Sequence, residues 1–80
     1  MSDLEQQVID VVSGVIEGRG HKGIQITLDS GLNNPAAWDS LAFVEIFMAI
    51  AAHFSVEVSD DDAIYFMTAR EIVDFLRERI

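Results

Sequence analysis

Apolar residues recur at helical spacing over residues 2–17. Polar residues occupy the other faces, and the apolar stripe consists of Leu4, Val8, Val11, Val12 and Val15. This period predicts an amphipathic α-helix. Ser2 and Glu5 have the spacing of an N-terminal capping box, and Gly18 is placed to end the helix. Because valine is a weak helix former, we expect this helix to depend on packing.

No long periodic pattern appears between Arg19 and Trp38, where glycine, asparagine and proline are frequent. Ile24, Ile26 and Leu28 alternate with polar residues, which is the pattern of a short strand. A lone strand has no pairing partner. We therefore expect these residues, with Leu32 and Trp38, to anchor a mobile loop to the core. A connection of about 20 residues in so small a domain is often functional.

Residues 40–54 predict the second helix, for which Asp39 or Ser40 can supply the N-terminal cap. Its apolar residues cover more than one face: they are Leu41, Val44, Ile46, Phe47, Met48, Ile50 and Phe54. Such an excess of apolar surface indicates either a helix that is nearly surrounded or an exposed patch that binds a partner.

Two capping patterns follow in the last third of the chain. Ser59 with Asp62 predicts a short helical segment over 60–66, and Thr68 with Glu71 predicts a last helix that ends near Arg79. The buried stripe of that last helix is predicted to be Ile72, Val73, Phe75, Leu76 and Ile80. The chain is therefore predicted to be all-α. We expect a single domain, 1–80, forming a four-helix bundle of three main helices and one short helix, with a long loop between helices 1 and 2.

Charge is distributed unevenly along the 80 residues. Fourteen acids against five Lys and Arg give a net charge of -9, and the segment between Gly23 and Ala69 contains neither Lys nor Arg. Such a surface repels the phosphates of nucleic acids and anionic membranes. A basic protein partner would be attracted to it and would associate faster at low salt.

The composition also bears on the compartment. The chain has no cysteine, its N-terminus lacks the pattern of a signal peptide, and no apolar run approaches the roughly 20 residues of a membrane span. We expect a monomer in the cytoplasm.

Asp39-Ser40-Leu41, followed by Val44, Glu45, Met48, Ile50 and Phe54, resembles the acyl carrier protein family. The continuation Val56-Glu57-Val58 and Asp60-Asp61-Asp62-Ala63 resembles it as well, so the similarity runs from Trp38 to about Ile80. The resemblance implies a carrier that catalyses no reaction. In that family a serine hydroxyl receives a 4'-phosphopantetheine arm from coenzyme A, transferred by a magnesium-dependent phosphopantetheinyl transferase. The thiol of the arm holds acyl groups as thioesters for enzymes of fatty-acid or related specialised biosynthesis.

The resemblance also implies roles for particular residues. Ser40 is the attachment residue, and Asp39 beside it either helps the transferase place its metal or only caps the helix. The positions that contact partner enzymes are Leu41, Val44, Glu45 and Met48, with further charge at Glu57, Asp60 and Asp61. The second helix is less acidic than is usual in the family, because alanines and His53 stand at positions that are often acidic. A dedicated carrier that serves one pathway is therefore plausible.

Other interpretations stay open at this point. Ser40 can be only a helix cap, and Leu41 can belong to the core. The cargo can be an amino or aryl acid loaded by an adenylating ligase. The chain can also be an unmodified helical adaptor, or a small hydrolase that uses His21 or His53. Neither histidine has the spaced partners of a metal site, and the run of three aspartates lacks the pattern of a calcium loop, so we expect no metal site.

Overall fold

Three α-helices and one 3-10 helix form the regular structure of residues 3–80, the range that the computed structural model describes. In chain order they are α1 (Asp3–Gly18), α2 (Ser40–Phe54), the 3-10 helix (Asp60–Phe66) and α3 (Ala69–Arg77). This range contains no β-strand, so the all-α prediction with a long first loop is confirmed. Ser2, the predicted first cap, lies outside the described residues. None of the described helices is long and apolar enough to cross a membrane.

The core is built from one apolar stripe of each helix together with loop residues. Its fully buried large side chains are Val8, Val12 and Ile16 of α1, Ile46 and Ile50 of α2, Phe66, Ile72 and Leu76 of the last two helices, and Trp38 of the loop. The rings of Phe47 and Phe66 meet edge-on, with their centroids 4.7 Å apart, and join α2 to the 3-10 helix. The prediction for Ile80 was wrong: it lies beyond the end of α3 and its side chain is exposed.

The first helix ends at Gly18, the glycine predicted to stop it, but Gly18 is not the left-handed residue of its C-terminal cap. Gly18 is still helical, and the left-handed residue is Gly20, with φ of 97°. The Gly20 amide donates to the Glu17 carbonyl and the His21 amide donates to the Ile16 carbonyl, which is the paired arrangement of a Schellman motif. Glycine suits this position because a Cβ is strained at positive φ. The chain therefore turns at Gly20 and leaves Arg19 at the end of α1.

The long loop is held to the rest of the molecule more firmly than its composition predicts. Leu32 donates its amide to the Met67 carbonyl, while the Ala69 and Arg70 amides donate to the carbonyls of Ser30 and Leu28. Amides at the start of α3, which have no partners within their own helix, thus find acceptors in the loop. The predicted anchors contact the core: Ile26 is buried in it, and Ile24, Leu28 and Leu32 are partly buried and packed against it. These hydrogen bonds fix the loop, which leads into α2, to the start of α3.

Candidate functional site

Trp38 fixes the point at which the loop ends and α2 begins. Its indole is fully buried, its amide donates to the Pro35 carbonyl at 3.0 Å, and its carbonyl accepts from the Asn33 amide at 2.7 Å. Both the side chain and the backbone are therefore held immediately before Asp39. The indole Nε1 is buried without a hydrogen-bond partner among the described residues. The position of the next two residues follows from this anchor.

Asp39 is the N-terminal cap of α2. Its Oδ1 accepts from the Ala42 amide at 2.9 Å, and its carbonyl accepts from the Phe43 amide at 2.8 Å. Ser40 is the first residue of the helix, it is exposed, and no hydrogen bond of its hydroxyl occurs within residues 3–80. Of the two candidate caps, the structure selects Asp39. The hydroxyl of Ser40 is consequently not used to stabilise the helix and faces solvent.

Arg19, which the sequence did not single out, reaches this junction from the end of α1. Its Nη1 donates to Glu45 Oε2 at 2.7 Å, and its Nη2 lies 3.8 Å from Asp39 Oδ1. The guanidinium therefore pairs with two carboxylates, one that precedes Ser40 in the sequence and one that follows it. Because basic residues are scarce in this acidic chain, Arg19 could have been expected to form an ion pair. No sequence pattern indicates that its partner is Glu45, which lies 26 residues away.

The Asp39 carboxyl has a pKa below its ordinary value. The main cause is the hydrogen bond from the Ala42 amide, which stabilises the ionised form. Partial desolvation acts in the opposite direction, while the nearby Arg19 and His21 lower the pKa further. Asp39 is therefore ionised at neutral pH and places a negative charge beside the Ser40 hydroxyl.

Leu41, Val44 and Met48 form an exposed apolar face of α2. These residues are 66%, 51% and 66% exposed, respectively, while Ala42, Ile46 and Ile50 of the same helix are fully buried. The excess of apolar residues in α2 is thus an exposed patch, and the alternative that Leu41 belongs to the core was wrong. Methionine suits such a patch because its flexible side chain adapts to different surfaces.

The acidic residues after α2 fall into two groups. Asp62 accepts from the Ser59 amide at 3.0 Å, as the predicted capping box requires, and lies 3.6 Å from Arg79. Glu57, Asp60 and Asp61 are exposed and make no ion pair with another described residue. Arginines from either end of the chain thus neutralise part of the central acidic segment and leave these three carboxylates available.

Neither histidine is hydrogen-bonded to Ser40 within the described residues. His21 is exposed in the loop, and His53 near the end of α2 is also exposed, with its ring against Phe54. In the described part of the chain, no hydrogen bond connects a histidine to a serine, and no three metal-binding side chains are grouped to hold an ion. The geometry at Ser40 therefore offers an exposed hydroxyl at a helix start, with no histidine hydrogen-bonded to it among the described residues.

Comparison with known proteins shows the family to which the chain belongs. The family model described as "Phosphopantetheine attachment site" matches residues 6–76, most of the chain. The chain belongs to the acyl carrier protein family. It is 38% identical over 80 residues to "Acyl carrier protein 2" of Pseudomonas aeruginosa, an alignment that covers all of this chain and 98% of that protein.

Other acyl carrier proteins are similar over nearly their whole length. The protein of Guillardia theta is 34% identical over 77 residues, covering 95% of each chain, and that of Rickettsia bellii is 32% identical over 78 residues, covering 98% of this chain and 87% of the relative. No solved structure gives a significant match. Acyl carrier proteins are carriers and not catalysts, and their cofactor is phosphopantetheine. Membership of the family implies interaction with a phosphopantetheinyl transferase and with biosynthetic enzymes.

Because Asp39 caps α2 through its ionised carboxylate, we expect the stability of this carrier to fall when that carboxylate is protonated. A carboxyl whose folded pKa is depressed contributes stability above its unfolded pKa of about 3.9, and that contribution is lost as the pH falls through the folded pKa. Asp39→Asn keeps an oxygen that can accept from Ala42 but removes the titration. We expect the wild type to melt above Asp39→Asn at pH 7 and the gap to close in acid. Thermal unfolding between about pH 7 and pH 2.5 measures the gap. A gap that is constant over this range would contradict the assignment of the cap.

Proposed function

We propose that Ser40 carries a 4'-phosphopantetheine arm, and that the chain holds acyl intermediates as thioesters on it for enzymes of fatty-acid or related specialised biosynthesis. The observation that supports this proposal is that Asp39, and not Ser40, caps the start of α2. Asp39 caps the helix, so the neighbouring hydroxyl of Ser40 is exposed and has no partner within the described residues. A serine needed as a cap would have its oxygen occupied by an amide hydrogen.

The residues at this junction suit an attached phosphodiester. The first-turn amides of an α-helix lack acceptors within the helix, and the positive end of its dipole favours an anion. Asp39 opposes this effect, because its carboxylate repels a second negative charge. The arm supplies the thiol that forms the thioester, while the chain supplies the oxygen of Ser40 and a helix that fixes its position. Since no side chain in residues 3–80 is hydrogen-bonded to the Ser40 hydroxyl, we assign proton removal to the transferase, with Asp39 as a residue that can help it place its magnesium ion.

We assign partner docking to the exposed side chains around this junction. Leu41, Val44 and Met48 offer apolar contact to enzymes, and Glu57, Asp60 and Asp61 offer carboxylates to basic residues. Glu45 lies on the same helix but is already bound to Arg19. Apolar contact adds affinity, whereas complementary charge adds orientation and faster association. We further propose that the carrier acts as a monomer in the cytoplasm, which agrees with a chain that has no cysteine.

The cargo that we propose is an acyl group. The names of the similar proteins support it, as does the acidic segment that continues after α2. The alternative cargo is an amino or aryl acid activated by an adenylating ligase. Offering the unloaded arm, with its thiol free, to a malonyl transferase and to adenylating ligases in parallel separates the two, because only the cognate class forms a stable thioester with that thiol.

The proposed attachment is tested by intact-mass measurement. We expect the purified chain, incubated with coenzyme A, Mg²⁺ and a transferase of broad specificity, to gain the mass of one phosphopantetheinyl group. Ser40→Ala should gain nothing, because it lacks the only exposed hydroxyl at the start of α2. Ser13→Ala, in the middle of α1, is the matched control and should be modified like the wild type. An unmodified but folded wild type would favour the helical adaptor instead.

A further inference from the structure

Glu45 is not free to bind a partner. Its Oε2 accepts from Arg19 Nη1 at 2.7 Å, a distance typical of a charge-assisted hydrogen bond. The contact joins the end of α1 to the exposed side of α2, across 26 residues of sequence. A basic residue of a partner must therefore displace Arg19 before it can pair with Glu45. The carboxylates of Glu57, Asp60 and Asp61 require no such displacement.

The environment of Arg19 holds its guanidinium in place. The side chain is 23% exposed, much less than that of Arg70 or Arg77, which are 57% and 51% exposed in their own ion pairs. The Nε of Arg19 is buried and makes no hydrogen bond within the described residues, so the stem is packed and only the tip is used. A packed stem loses less freedom when the tip binds, which favours the pair with Glu45 over an equivalent pair with a mobile side chain.

We propose that Arg19 is a specificity-determining residue, because it masks Glu45 and weakens docking by enzymes whose basic residues bind the middle of α2. The inference rests on the proposed function, since it concerns the partners of the Ser40 arm. Enzymes that dock through the acids after α2 are unaffected by the mask. Arg19 therefore selects among basic partners that would otherwise compete for the same helix.

The test compares two arginines that make ion pairs of equal length. Arg19→Met removes the charge and keeps an apolar stem; Arg70→Met makes the same change at Arg70, whose Nη2 lies 2.7 Å from Asp29. The readout is the KM and kcat of Ser40 modification at low salt by a transferase whose basic residues bind the middle of α2, where Glu45 lies. We expect Arg19→Met to lower KM about two- to fivefold, the range that an exposed ion pair allows, with kcat unchanged. Arg70→Met should change KM less.

Repeating the measurement in a Glu45→Gln background separates masking from a general change of charge. If Arg19 acts by masking Glu45, removing the arginine lowers KM in the wild-type background and has no larger effect than Arg70→Met when Glu45 is already neutral. An equal fall in both backgrounds, or an Arg19→Met effect no greater than that of Arg70→Met, overturns the inference.

Two controls keep the outcomes distinct. The circular dichroism spectrum of each variant verifies the fold, and Arg19→Gln replaces Arg19→Met if the latter does not fold. A wild-type chain that the transferase leaves unmodified refutes the proposed function itself. A chain that is modified at Ser40 but shows no coupling between Arg19 and Glu45 refutes only the mask.

Discussion

Replacing Trp38 by alanine is expected to destabilise the protein by about 3–5 kcal/mol. The indole is fully buried at the junction of the loop and α2, so its removal leaves a cavity that small shifts cannot fill. A domain of this length has a total stability of about 4–12 kcal/mol, from roughly 0.05–0.15 kcal/mol per residue. The loss leaves much of the chain unfolded at the low end of this range and removes a substantial part of the stability at the high end. Urea denaturation followed by circular dichroism measures it.

Trp38→Phe is the matched control. Phenylalanine keeps an aromatic ring in the site and removes the Nε1 hydrogen, which has no acceptor among the described residues. Since a buried donor without a partner is itself unfavourable, the smaller ring should cost less than half as much as alanine. If Trp38→Ala lost only about 0.5 kcal/mol, as surface substitutions do, the indole would not anchor the start of α2.

Replacing Gly31 by alanine should be the second most damaging change, at about 2–3 kcal/mol. A Cβ on Gly31 would collide with the backbone carbonyl of Met67 and would approach the Thr68 side chain at 2.9 Å. Both neighbours belong to the connection between the 3-10 helix and α3, and the Met67 carbonyl also accepts from the Leu32 amide. The loop would have to move away from α3, which would break hydrogen bonds on both sides of Gly31. Thermal and urea unfolding measure the loss.

Gly14→Ala is the matched control, and we expect it to raise the stability of the protein where Gly31→Ala lowers it. Gly14 is exposed in the middle of α1, and no atom lies within 4 Å of a Cβ added there. Alanine in an exposed helix interior is favoured over glycine by about 0.5–1 kcal/mol, so this variant should gain stability. Equal effects at Gly14 and Gly31 would mean that the loop does not pack closely against the start of α3.

The sequence predicts the helices well because their signals are local. Helical spacing of apolar residues identified α1 and α2, and the capping residues Ser59 and Thr68 identified the starts of the last two helices. Thr68 accepts from the Glu71 amide at 3.1 Å, as predicted. Each of these patterns spans a single turn or one face of a helix, so neighbouring residues alone determine it.

Features that depend on the path of the chain could not be predicted in the same way. The contact of Arg19 with Glu45 and the approach of Gly31 to Met67 join residues far apart in sequence. Even at the end of α1, the left-handed glycine is Gly20 and not Gly18, because the conformation after the last turn depends on where the loop leaves the helix. The sequence located Ser40, but only the structure distinguished the capping carboxylate of Asp39 from the unused hydroxyl beside it.

The most direct test of Ser40 as the attachment residue is fragmentation mass spectrometry of the chain after complete modification. The chain contains five other serines, namely Ser2, Ser13, Ser30, Ser55 and Ser59. We expect every fragment that carries the phosphopantetheinyl group to contain Ser40, and fragments containing only the other serines to be unmodified. The group on another serine, or its absence from folded chain after an active transferase has modified a known carrier in the same tube, would contradict the account.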